Sequence, residues 1–213
     1  MASPEDRFSV FSNSVARLGS ARARVTEMRK AVSGGDRLQF GRAYDACVLD
    51  IRQVYFALKK EGAHRDGFEA WFGDVGQMLK GDPLWSFLVA ERNRIEKEGT
   101  NSLQYCTQMR GGTCDTGAPP FPDAQLVIEG GFWWVRDPGG PKEEWIAFQP
   151  ETDGEYLEVI AIANAPECHL GKPLLETDPI SLCVAAIETL ETIVHDARDR
   201  FAPNTSGGSG NTE

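Results

Sequence analysis

Residues 38–62 read LQFGRAYDACVLDIRQVYFALKKEG, and the spacing within this stretch decides the fold. Ala43, Tyr44, Cys47, Val48, Ile51, Val54, Tyr55 and Leu58 recur at intervals of three and four. That is the period of a helix with one wide apolar face, not the alternation of a half-buried strand. The spacing predicts a helix over about 38–60, with Gly62 as its C-terminal stop.

Upstream, Phe8, Phe11, Val15, Leu18, Val25, Met28 and Val32 form a similar stripe that ends at Ser33-Gly34-Gly35. The two helices are expected to pair as an antiparallel hairpin. Downstream, Phe68, Trp71, Phe72, Val75 and Leu79 mark a short third helix closed by Gly81. Asp82-Pro83 then supplies an N-cap and a proline at the first helical position, where the missing N–H costs nothing. The fourth helix, about 83–98, begins with Leu84, Trp85, Phe87 and Leu88 and turns polar at Glu91-Arg92-Asn93-Arg94.

Glycines and prolines between residues 100 and 122 break any period and read as a long connection or lobe. Strand patterns follow at 125–129, 132–137, 144–149 and 156–163, separated by Gly-rich and Pro-rich turns. Asp178-Pro179 repeats the cap-plus-proline start, and Leu182, Cys183, Ala186, Ile187, Leu190, Ile193, Val194, Ala197 and Phe201 define a last helix that Pro203 stops. The chain therefore reads as mainly α (α+β): an antiparallel bundle of about five helices with a small antiparallel β-meander inserted at about 123–164, before the last helix. One domain is expected over 1–203, with a flexible tail over 204–213.

The net charge is −10, which disfavours general DNA binding, since a surface rich in carboxylates repels phosphate at long range. The acid is unevenly placed: residues 1–42 carry eight Lys and Arg against four acids. Such a basic first helix could meet RNA, an acidic partner or the acidic remainder of its own bundle. No apolar run is long enough to span a membrane and the N-terminus lacks an apolar signal region, so a cytoplasmic protein with no membrane partner is expected.

Five scattered cysteines without a C-x-x-C pair suggest reduced thiols. Cys106, Cys114, Cys168 and His169 are the alternative, a metal set, but their spacing matches no ligand signature; no metal and no cofactor are expected. The sequence has only three histidines, His64, His169 and His195, and no G-x-S-x-G, P-loop, H-E-x-x-H or dinucleotide glycine fingerprint.

Two segments are left as candidates. One is the polar end of the fourth helix, where Arg92 should face Glu96 and Arg94 should face Glu98 at i, i+4. A buried Arg92-Asn93 pair would be costly without a partner or ligand. The other is the β insertion, where Trp133, Trp134 and Trp145 could wall a small-ligand or peptide site, with His169 and Lys172 of the following loop supplying polar contacts.

A bundle whose late helix carries Arg92-Asn93 with a polar stretch beyond resembles the HEPN superfamily (higher eukaryotes and prokaryotes nucleotide-binding). The resemblance covers roughly 38–99 and 178–201. It implies a helical fold, a homodimer, and an association with RNA or nucleotides. In the family's RNases an arginine is followed after four to six residues by a histidine; the arginine stabilises charge at the scissile phosphate while the histidine assists attack by the 2′-hydroxyl. Arg92 takes the arginine's place and Asn93 that of its frequent neighbour. Lys97, Glu98 and Gly99 stand where the histidine would fall. The resemblance thus implies a noncatalytic interaction module that pairs with itself or another protein, or with RNA. The alternative is a metal-independent RNase that uses Arg92, Asn93, Glu96 and Lys97.

Overall fold

The computed structural model describes residues 10–110, 113–114, 125–129, 132–136, 146–149 and 155–202. Five helices stand among them: α1 (Ser12–Gly34), α2 (Arg37–Gly62), α3 (Phe68–Lys80), α4 (Pro83–Glu98) and, after the strands, α5 (Pro179–Phe201). The protein is mainly α, with a small β insertion before the last helix, as its periodicity requires.

The helix ends follow their local chemistry. Gly35 adopts a left-handed conformation (φ 66°), and Asp36 N–H donates to the Ala31 carbonyl, which turns the chain between α1 and α2. The Asp36 side chain accepts from Gln39 N–H, that of Asp82 from Trp85 N–H, and that of Asp178 from Ile180 and Ser181 N–H, each capping the helix that follows. At the far end of the α1–α2 hairpin, Glu61 accepts from Asn13 N–H at 2.8 Å and Ser14 N–H at 3.0 Å. A carboxylate on α2 thus satisfies the free donors that open α1, which fixes the antiparallel register.

Helix α2 packs against each of the other four helices, and its residues Phe40, Tyr44, Cys47, Ile51, Val54 and Leu58 are fully enclosed. Each large side chain removed from water in this way contributes about 1.5–3 kcal/mol. On α1 the buried seam is Ser14, Leu18, Ala21, Val25, Met28 and Ala31, while Val15 and Val32 are exposed, contrary to the expected stripe. Small residues form half of this seam because they let the α1 and α2 backbones approach, and a count of apolar residues overlooks them. Phe8 lies outside the described residues. Arg22 of α1 pairs with Glu191 of α5 at 2.5 Å, and Arg17 with Asp50 of α2 at 3.6 Å, so the basic helix spends part of its charge on the bundle itself.

An aromatic cluster closes one end. Phe68 contacts Phe11, Phe72 and Phe201 with ring centroids 5.3–6.1 Å apart, and Trp71 Nε1 donates to Asp196 at 2.8 Å. Gly62 is required there, because a Cβ would fall 2.1 Å from the Phe68 ring.

Two compact units divide the chain: residues 1–104 with 161–213, and residues 105–160. The strands are β1 (Leu103–Arg110), β2 (Thr113–Cys114), β3 (Gln125–Glu129), β4 (Phe132–Arg136), β5 (Ile146–Gln149), β6 (Glu155–Ile162), β7 (Cys168–His169) and β8 (Lys172–Pro173). Strands β3, β4 and β5 form the expected antiparallel meander, with Val127 opposite Trp134 and Trp134 opposite Ala147. The fourth strand of that sheet is β2, and β6 pairs instead with β1. This corrects the reading of residues 100–122 as a connection. Leu103, Tyr105, Thr107 and Met109 alternate with Gln104, Cys106, Gln108 and Arg110, a strand pattern that the glycines and prolines after residue 110 obscured. The expected tail, 204–213, lies outside the described residues.

Candidate functional site

The site centres on α4, which Asp82 and Pro83 start and Gly99 ends in a left-handed conformation (φ 68°). Its first two turns point Leu84, Trp85 and Leu88 into the core. One turn further Glu91 occupies the same inward face and is fully buried. A buried carboxylate is stable only when its oxygens are filled. Here Ser102 N–H donates at 2.7 Å, Arg94 Nη1 at 2.7 Å and the Tyr44 hydroxyl at 3.3 Å, with the Ser102 hydroxyl also in contact. Burial above all, with the nearby Cys183 and Glu91 adding to it, pushes the Tyr44 phenol far above its ordinary value, so it remains a donor.

This network redirects Arg94. It pairs with Glu91 three residues earlier rather than with Glu98, because the buried carboxylate offers a drier, stronger partner than an exposed one. Arg92 does face Glu96, at 2.6 Å, and donates to the Asn93 side-chain oxygen at 3.1 Å. Arg92 and Asn93 are half-buried, while Glu96 and Lys97 are exposed.

Arg52 of α2 joins Arg92 at this face, a residue that sequence reasoning missed. Its guanidinium lies 4.7 Å from the Trp85 ring centroid, 5.3 Å from that of Phe56 and 5.6 Å from that of Tyr55. Nε and Nη1 are shielded from water and donate to no acceptor among the described residues. Burial lowers its pKa most; Tyr55 opposes that shift, and the positive charge of Arg92 adds to it. Arg52 thus sits beside Phe56, whose ring is half exposed. The only sequence signal was an arginine set between Ile51 and Val54 on a strongly apolar helix.

The remaining candidates are dispersed. His169 of β7 is placed between α4 and α5: Nδ1 is 2.9 Å from Asp82 and Nε2 is 2.6 Å from the Thr189 hydroxyl. Asp82 also accepts from Leu170 N–H at 2.7 Å, so the cap of α4 holds the β7–β8 hairpin in place. Both ring nitrogens of His169 are therefore occupied by structural contacts, and Lys172 beside it is exposed. Trp133 and Trp134 are consecutive positions of β4; their side chains, and all of Trp145, lie outside the described residues. His64 is exposed in the turn after α2, and His195 pairs with Asp199 on the outer face of α5.

Cys47, Cys168 and Cys183 are free thiols, and among the described residues no group of three or more His, Cys, Asp or Glu could hold a metal ion. The side chains of Cys106 and Cys114 lie outside that set. No helix among the described residues is long and apolar enough to cross a membrane.

Fold and site together define a helical bundle with a β insertion, in which Arg52 of α2 packs on aromatic rings and Arg92 of α4 pairs with Glu96. Residues 33–110 are similar to the family described as bacteriophage lambda protein ea47, a match that spans α2, α3, α4 and β1 and so includes Arg52 and Arg92. No curated protein and no solved structure matches the chain.

Proposed function

We propose that the protein is a noncatalytic, HEPN-like helical module that binds single-stranded RNA at the α2–α4 face and associates with a second copy of itself. The observation that carries this reading is Arg52. It is a cation held on three aromatic rings, with no carboxylate partner among the described residues. Phosphate answers a guanidinium without a carboxylate among the described residues, with Arg92 able to exchange its exposed partner Glu96 for a second phosphate contact, and the half-exposed Phe56 offers a stacking surface for a base. The network under this face supports the reading as well, because Glu91 and Ser102 fix α4 as it passes Arg92.

The noncatalytic reading rests on where the described histidines stand. His169 is bound to Asp82 and Thr189, and His64 lies twelve residues beyond Arg52 along the chain, roughly 18 Å at helical rise. Lys97 is exposed.

Fluorescence anisotropy with a labelled single-stranded RNA, in chelator, tests the proposal. Wild type is expected to bind without cleaving, and Arg52→Gln with Arg92→Gln to weaken binding at least about tenfold, the worth of one charge-assisted contact. Equal binding by wild type and the double variant overturns the proposal. Cleavage by wild type that Arg92→Ala abolishes establishes the RNase alternative instead. Light scattering reads the second part: a strict monomer at high concentration removes the homodimer.

A further inference from the structure

Arg52, Phe56 and Lys60 fall at i, i+4 and i+8 along α2, one row of cation, ring and cation with about 6 Å of rise between neighbours. The Arg52 guanidinium lies 5.3 Å from the Phe56 ring centroid, and Phe56 is 51% exposed. Past Phe56 the row enters a groove of about 530 Å³ between the start of α1 and the end of α2, in the size range of small-molecule sites. Asn13 and Arg17 of α1 and Gln53, Phe56, Lys60 and Glu61 of α2 form its walls.

The free charge of this groove is positive. Glu61 is the one acid on its walls, and both its oxygens are engaged by α1: one accepts from Asn13 N–H, the other from Ser14 N–H and the Ser14 hydroxyl. Lys60 is exposed and makes no ion pair or hydrogen bond among the described residues. Arg17 is half exposed and stands 3.6 Å from Asp50, too far for a hydrogen bond. The side-chain amides of Asn13 and Gln53 are exposed and unpaired among the described residues, so each offers donors and an acceptor to the groove.

We propose that this groove takes a further nucleotide of a single-stranded RNA, which runs along the α2 row from Arg52 over Phe56 to Lys60. A base stacks on the open side of Phe56, the amides of Gln53 and Asn13 meet its edge, and Lys60 and Arg17 meet its phosphate. The inference rests on the RNA reading and extends it away from α4, to the end of α2 and the start of α1. The continuity of the row with Arg52 argues for a strand, and the open ring between two cations argues for a base with its phosphates.

Fluorescence anisotropy of the full chain with a labelled single-stranded RNA of about twelve nucleotides, in chelator and over a series of salt concentrations, tests the proposal. Lys60→Gln is expected to weaken binding about fivefold and to lower the slope of log affinity against log salt by about 0.7, the value of one phosphate contact on a single strand. Phe56→Ala is expected to weaken binding at least about fivefold through the lost stack. Lys30→Gln removes the same charge about 20 Å further along α1 than Arg17 and should leave affinity and slope as in wild type. These three side chains are exposed, and circular dichroism melts confirm that each variant is folded. RNA binding that Arg52→Gln with Arg92→Gln weakens and Lys60→Gln leaves unchanged overturns this inference alone. Wild type that binds no RNA removes it together with the RNA reading. Poly-L-glutamate that displaces the RNA as well as unlabelled RNA of equal charge overturns the nucleotide as the occupant in favour of an acidic peptide.

Discussion

Replacing Glu91 by alanine should be among the most damaging single changes in the helical unit, and the structure sets its size. The carboxylate is fully enclosed and accepts from Ser102 N–H, the Ser102 hydroxyl, Tyr44 and Arg94. Without it, Ser102 N–H is left buried with no acceptor, a loss of about 1–3 kcal/mol. The Tyr44 hydroxyl is stranded as well. Arg94 is 39% exposed and recovers most of its solvation in water, so its ion pair adds little. The vacated methylenes leave a small cavity. Together these give a destabilisation of about 3–5 kcal/mol, the range for breaking a buried charged network. Against a total of about 5–15 kcal/mol for a domain, such a loss removes a third or more of the stability. Urea unfolding followed by circular dichroism measures it, with Glu91→Gln as the control that keeps one acceptor oxygen and loses about half as much. A Glu91→Ala midpoint equivalent to less than about 1 kcal/mol, at unchanged m, would refute the account of α4 given above.

Two further outcomes are expected. Gly62→Ala should cost about 1–3 kcal/mol, since its Cβ lands 2.1 Å from the Phe68 ring and that ring is held by Phe11, Phe72 and Phe201; a thermal melt within a degree of wild type would contradict this. Asp45 has its pKa raised, chiefly by burial and against a hydrogen bond from Asn101. The folded state therefore holds that proton more tightly, and the stability linked to it is full below the ordinary aspartate range and lost as pH rises through the raised value. Asp45→Asn should thus be at least as stable as wild type at pH 7 and lose that advantage as pH falls towards 4, which urea midpoints at the two pH values will read.

The sequence by itself determined where helices start and stop and which faces are apolar. Asp82-Pro83 and Asp178-Pro179 start helices and Gly35 and Gly99 end them, because capping is settled within a turn of backbone. The stripe on α2 was legible because period 3.6 depends only on neighbours along the chain. The i, i+4 partner of Arg92 was legible for the same reason; that of Arg94 was not, since a buried carboxylate nearer in space outcompeted Glu98. The edge of α1 went astray because Ser14 and Ala21 carry its seam through small size, and size matters only once a second helix approaches. What tertiary structure alone decided are the pairings between distant residues: Glu61 on the start of α1, His169 between Asp82 and Thr189, and Arg52 on Trp85. Each joins groups whose separation along the chain says nothing of their distance in space. No local pattern encodes such a contact; only packing the apolar faces against one another brings it about.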